Sequence, residues 1–268
     1  MLAISPVALI LVLLAALLHA GWNLLLHDTG DRIAALAVAG LVAGLVLLPI
    51  SVVTHPWSVL PLIGLSALAE TAYGICLAAA YRRGALSVAY PLGRGCAPLL
   101  VTLGGWLVLS QVPGPLALGG AVALAAGLAV VATAGLRSGQ TAAVGFAVLT
   151  GCCIASYSLV DARAVQQTNP LGYLGPVVLL QGLLLFAVMR GDWPRLRRAL
   201  RPGVKIAVGS TAAYLLVLFA FQLAAAGRVA TLREVSVLIG LSLARDKPGW
   251  RLWAGAGLVV AGIVLTAW

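Results

Sequence analysis

Apolar runs about twenty residues long, cut by short polar or Gly/Pro breaks, make up nearly the whole chain. A helix needs roughly 20 apolar residues to cross a bilayer. On that measure the sequence predicts ten crossings, at about 5–26, 33–53, 59–80, 86–109, 116–136, 142–162, 171–190, 205–225, 229–244 and 251–268. None of the breaks is long enough to hold a soluble domain, so successive segments are expected to run antiparallel. Composition agrees: 62% of residues are hydrophobic, only 9% are charged, and the mean hydropathy is +1.08. Soluble domains carry about 25% charged residues. In lipid, apolar side chains face outward at no cost and helices satisfy their own backbone hydrogen bonds. The predicted fold class is therefore an all-α integral membrane bundle.

The pattern also repeats. Pro113 and Gly114 open the fifth segment, followed by Gly120 and Gly127. Pro248 and Gly249 open the tenth, followed by Gly255 and Gly262, each at an offset of 135. The same offset sets Ala20, Trp22 and Asn23 against Ala155, Tyr157 and Ser158. Two five-helix units, 1–137 and 138–268, are expected. An odd number of crossings per unit means that the two insert in opposite orientations, a build in which substrate sites lie between the repeats. One stretch slips register: Gly84 to Tyr90 matches Gly227 to Arg233 at an offset of 143, so the second unit is eight residues shorter there. The ninth segment is left with about 16 residues, which is marginal for a crossing.

Charge adds an orientation. The net charge is +10, but the basic residues sit between apolar runs rather than on one face. Alternate linkers hold 13 Lys and Arg, including Arg195, Arg197, Arg198 and Arg201. The opposite side holds two, Arg163 and Arg228. Cytoplasmic loops are enriched in Lys and Arg, so the first set is expected in the cytoplasm and both termini outside, in a bacterial inner membrane. This reading displaces a nucleic-acid surface.

Ionisable residues within membrane segments are costly and mark functional sites by default. Here they are Glu70 in the third segment, Arg94 roughly 12 Å into the fourth at 1.5 Å per residue, Asp161 at the end of the sixth, and Arg233 with Glu234 in the ninth. Helical spacing groups Glu70 with Tyr73, Tyr90 with Arg94, Tyr157 with Asp161, and His19 with Trp22 and Asn23. Faces carrying one ring and one polar group suit a cavity for a small polar or amphipathic solute. Trp22, Asn23, Glu70, Tyr73, Tyr90, Arg94, Tyr157, Asp161, Arg233 and Glu234 are the candidate substrate-binding residues. Arg94 and Arg233 could hold a carboxylate or phosphate, and Glu70 a proton or an ammonium group. Each has a plainer alternative. Glu70 could be a structural partner of Arg94 or Arg233. Asp161 could snorkel to an interface, Trp22 could belong to an interfacial belt, and His19 could be a buried hydrogen-bonded residue. Arg233 and Glu234 point about 100° apart and need different partners. Gly40 and Gly44 read as close helix packing, and Pro91 and Pro98 as kinks.

The chain has no HExxH, GxSxG or phosphate-loop pattern, so no catalytic site and no ATP drive is expected. Cys76, Cys96, Cys152 and Cys153 lie in apolar segments without metal-ligand spacing. The expectation is no metal and no cofactor. The expected partners are a small-molecule substrate and the bilayer, with the chain acting as a monomer or homodimer.

At these residues the chain resembles EamA-type members of the drug/metabolite transporter superfamily. The resemblance rests on AYRRGALSVAYPLGRGCAPLL (Ala80 to Leu100), His19 to Asn23, Tyr157 to Asp161 and Leu232 to Ser236. It spans the whole chain, repeats included. It implies a ten-helix bundle with a central cavity between the repeats, alternating access, export of amino acids, metabolites or drugs, and in many members a proton gradient as the drive. Two features depart from the family pattern. LSLARDKPG (Leu241 to Gly249) replaces a longer ninth helix, and Glu70 stands where a neutral residue or His is expected. A shortened ninth helix also raises the alternative of a non-transporting or degenerate membrane subunit.

Overall fold

The computed structural model describes residues 4–83, 94–134, 141–242 and 250–267. Among these residues all regular structure is helical. The elements are α1 (Pro6–His27), α2 (Arg32–Thr54), a 3₁₀ turn (Pro56–Val59), α3 (Leu60–Arg83), α4 (Ala97–Leu109), α5 (Pro115–Ala134) and α6 (Thr141–Ala164). They continue with α7 (Pro170–Val188), α8 (Trp193–Arg198), α9 (Leu200–Leu223), α10 (Ala226–Arg233), α11 (Val235–Ser242) and α12 (Trp250–Ala267). Among the described residues, six stretches are long and apolar enough to cross a membrane: α1, α2, Pro56–Arg83, α6, α7 and α9.

Helix starts follow local chemistry. The Ser5 hydroxyl accepts from Ala8 N at 3.2 Å with Pro6 behind it, and the Asn169 side-chain Oδ1 accepts from Leu171 N at 2.9 Å ahead of Pro170. In both, a polar cap meets an N–H that the first turn leaves unpaired, and proline fills a position that needs no donor. Asp31 caps α2 and Asp192 caps α8 in the same way.

Side-chain size runs opposite to that of a soluble core. On α1, Ile10, Leu14 and Leu17 are exposed while Ala8, Ala15, Ala16 and Ala20 are buried. Large apolar groups face outward and small ones let helices close, as expected where packing rather than water drives association. The chain is a multi-pass membrane protein.

Contacts between elements pair up in an ordered way. α2 lies along α7, α5 along α12, α3 along α6, α1 along α9, and α4 along α10. Two of these crossings are made of glycine. A Cβ added to Gly40 would lie 2.6 Å from the Val178 carbonyl oxygen and 2.9 Å from Gly182; one added to Gly175 would lie 3.1 Å from the Leu47 Cβ. A Cβ added to Gly120 would lie 2.6 Å from the Gly262 carbonyl oxygen, and one added to Gly127 would lie 2.7 Å from the Gly255 carbonyl oxygen. In both pairs the residue numbers run in opposite senses, so the helices are antiparallel. Gly40 and Gly44 thus serve close packing.

Three expectations change. The single segment over 229–244 is two eight-residue helices, α10 and α11, with Glu234 in a turn between them. Glu234 N bonds to the Thr231 carbonyl at 3.1 Å and Val237 N to the Glu234 carbonyl at 2.9 Å, so the ladder tightens to three-residue links. Each helix alone is about 12 Å long. The segment is interrupted next to Pro98 rather than bent through it: Arg94 and Gly95 are helical, Cys96 is a bend, and Pro98 lies in the first turn of α4, where a missing N–H is harmless. The break over 191–204 holds α8 and the start of α9, which basic side chains hid from a hydropathy reading. Tyr90, Pro91 and the Gly84 to Tyr90 match lie outside the described residues.

Candidate functional site

Five neighbouring long helices and α9 enclose a cavity of about 80 Å³. On the scale where one water needs about 10–15 Å³, that is room for a small solute or a few waters. His19 and Trp22 come from α1, Glu70 and Tyr73 from α3, and Tyr157 from α6. Gln181 on α7 and Ser210, Thr211 and Tyr214 on α9 complete its polar wall. Leu36, Ala39, Gly40 and Ala43 of α2, with Leu174 and Val178 of α7, form the apolar wall. A larger concavity of about 420 Å³ lies among turn residues at one end of the bundle and carries a single ionisable side chain, Arg228. The ionisable groups that must answer for a membrane interior gather at the smaller one.

Tyr73, Tyr157 and Tyr214 form a chain of edge-to-face rings with centroids 5.7 and 5.6 Å apart. The Tyr214 and Tyr173 hydroxyls both donate to the Asp161 carboxylate, Tyr173 at 2.6 Å. Asp161 is fully buried and does not snorkel. Two hydroxyl donors let a carboxylate stay inside the bundle, and they hold the rings at the cavity edge. Gln181 Nε2 donates to the Glu70 backbone carbonyl at 3.2 Å.

A second cluster adjoins the first. Arg94 makes a bidentate pair with Glu234, Nε to Oε2 and NH2 to Oε1, each 2.7 Å. Both side chains are nearly fully buried. Arg94 NH1 donates to His19 Nε2, so that nitrogen is an acceptor and the ring is neutral. The His19 and Trp22 rings meet edge to face at 4.9 Å. Arg233 is also buried and acts electrostatically on His19, Glu70 and Asp161, yet its Nε has no hydrogen-bond partner among the described residues. The adjacent Arg233 and Glu234 therefore do take different surroundings.

Of the residues singled out from sequence, Trp22, Glu70, Tyr73 and Tyr157 line the cavity; Trp22 is buried within the bundle rather than on its outer face. Asp161 stands behind it, and Arg94 with Glu234 reaches it through His19. Glu70 pairs with neither arginine; Arg94 takes Glu234 instead. Asn23 is structural: its amide donates to the His19 carbonyl at 3.0 Å and its oxygen accepts from Tyr81 at 3.3 Å. The pattern reading passed over Tyr173, Gln181, Ser210, Thr211 and Tyr214. One signal was available: Thr211, Ala212, Ala213 and Tyr214 echo Thr71, Ala72 and Tyr73. Among the described residues, no three His, Cys, Asp or Glu side chains gather as a metal site.

A lipid-facing helical bundle enclosing a polar cavity is the build of a membrane transporter. Residues 141–268 match the model of the EamA-like transporter family, part of the drug/metabolite transporter superfamily. A solved crystal structure, described only as that of a protein, superposes with a TM-score of 0.72 at 18% sequence identity. The match covers 96% of this chain and 95% of that one, and it establishes the shared fold. No curated protein matches the chain.

Proposed function

We propose that this protein is a secondary transporter that moves a small metabolite, amino acid or drug-like solute through the cavity by alternating access. The observation that carries this is the cavity's position. It lies between α1–α3 and α6, α7 and α9, the helices that the internal repeat makes equivalent.

The same reading takes 1–137 and 138–268 as two inverted five-helix repeats. Supporting it, Gly40 and Gly175 are equivalent at the 135 offset, as are Leu47 and Gly182. The contacts run Gly40 to Gly182 and Leu47 to Gly175. Gly120 with Gly262 and Gly127 with Gly255 follow the same rule. Such reciprocity is the mark of a two-fold relation. Two similar halves that pack symmetrically can exchange conformations by rocking against each other.

Orientation is part of the proposal: both termini periplasmic, the 195–201 linker cytoplasmic. The bidentate Asp31–Arg195 pair, at 2.8 and 3.1 Å, puts two of the basic linkers at one end of the bundle, in keeping with that assignment. Glu70 is proposed to load and release the coupling proton.

Proteoliposome flux tests the reading. A pH gradient is expected to drive solute uphill in wild type and not in Glu70→Gln, whose amide cannot titrate. No flux for any solute class, from protein that is folded and inserted, would instead favour a non-transporting subunit, for which the broken α10–α11 segment speaks. Activity reporters fused after Trp268 and near Pro202 check orientation; a reporter after Trp268 that works only in the cytoplasm would reverse it.

A further inference from the structure

We propose that the cavity is selective for small monoammonium cations, with the Glu70 carboxylate as the counter-ion. This rests on the cavity being the transport site. Charge balance leads to it. Among the described residues the buried acidic side chains are Glu70, Asp161 and Glu234, and the buried basic ones are Arg94 and Arg233. His19 accepts from Arg94 and is neutral. Arg94 and Glu234 cancel in their bidentate pair. Arg233 then faces two carboxylates, and one negative charge is left over in a medium where an uncompensated charge is expensive.

The leftover charge has one open address. Asp161 is closed off by Tyr173 and Tyr214. Glu70 is more than nine-tenths buried, lines the cavity, and its carboxylate has no hydrogen-bond or ion-pair partner among the described residues. The surroundings suit an N–H⁺ donor. The Gln181 amide is fixed by donating to the Glu70 carbonyl, which leaves its own oxygen as an acceptor, and the Ser210 and Thr211 hydroxyls stand on the facing wall. The Tyr73–Tyr157–Tyr214 rings offer π-faces, which attract a desolvated cation. An anion finds no equivalent. The Arg94 fork is closed on Glu234, and Arg233 is not part of the cavity wall. The volume of about 80 Å³ suits a small cation.

Proton and ammonium fill the same deficit, so binding weakens on acidification. The titratable groups around Glu70 are Tyr73 on α3, Asp161 and Tyr157 on α6, Tyr173 on α7, Tyr214 on α9, His19 on α1 and Arg233 on α10; among its described residues α2 presents none.

The test is calorimetric titration of the full-length protein in nanodiscs with propylammonium, its neutral isostere 1-propanol, and the zwitterion alanine. Propylammonium is expected to bind about tenfold or more tighter than 1-propanol, as a desolvated cation contact predicts. Glu70→Gln is expected to erase that preference. Selectivity is read on wild type, so the test survives if the variant fails to fold. Equal binding of propylammonium and 1-propanol overturns the proposal. Tighter binding of alanine than of propylammonium also overturns it and assigns Arg233 a carboxylate. Ammonium-selective binding without flux upholds the site while removing the transport reading.

Discussion

Glu234→Ala removes one partner of a buried bidentate pair and leaves the Arg94 guanidinium on His19 with no carboxylate at 2.7 Å. Stranding a buried charge in this way costs about 3–5 kcal/mol. Arg94→Ala strands the opposite charge, and a comparable loss is expected. Removing both strands neither, so the double variant is expected to be more stable than the sum of the singles implies. Single hydrogen bonds between membrane helices couple by about 0.6 kcal/mol and at most about 1.7. Here two charge-assisted bonds replace one neutral bond, with side chains 4% and 1% exposed. A coupling of about 2–3 kcal/mol is therefore expected, at the upper end of what contacting pairs show. Reversible unfolding in bicelles, run as a double-mutant cycle on wild type, both singles and the double, measures it. Additive singles would refute the reasoning, because they would mean that Arg94 and Glu234 do not depend on each other for burial. The cycle also bears on architecture. The pair ties the start of the fourth segment to the α10–α11 junction, so its loss should loosen that junction first.

Two further outcomes follow from packing and from the basic end of the bundle. Gly40→Val places a branched side chain where a Cβ alone would sit 2.6 Å from backbone; we expect a stability loss of about 1–3 kcal/mol or more. Gly145→Ala meets nothing within 4 Å and should be neutral or stabilising by up to about 1 kcal/mol, and thermal unfolding of both variants checks the contrast. At Asp31, the hydrogen bonds from Arg195 hold the carboxyl below its ordinary value of 3.8. A depressed folded value contributes stability that is fully present above the unfolded value, about pH 4, and is lost as pH falls through the folded one. Wild type should therefore lose stability below about pH 4 relative to Asp31→Asn, and parallel acid profiles of the two would contradict the pair's role.

Membrane character was legible because hydropathy is a sum over many residues, and no single contact can overturn it. The spacing pattern was legible directly: Pro113 with Pro248, and Gly120 and Gly127 with Gly255 and Gly262, recur at one offset whatever lies between them. Glu70, Arg94, Asp161, Arg233 and Glu234 stood out because a charge in a membrane segment is costly wherever it points. Partner choice was not legible. Glu70 looked like the natural mate of an arginine, yet Arg94 closes on a residue 140 positions away. Spacing along one helix says which face a side chain shares, not which helix that face meets.

The sequence by itself determined that this chain is a helical membrane protein, how its glycines and prolines repeat, and which few ionisable residues its interior must accommodate. Only the tertiary structure decided which of them are neutralised and which stay open. Tyr173 and Tyr214 close over Asp161 from α7 and α9, Glu234 takes Arg94 at a turn that splits the ninth segment, and Glu70 is left facing the cavity. The reason is physical. Burying a charge in an apolar segment is a local cost that any window of sequence reveals, whereas the compensating donor arrives from a distant helix, through packing that no window contains.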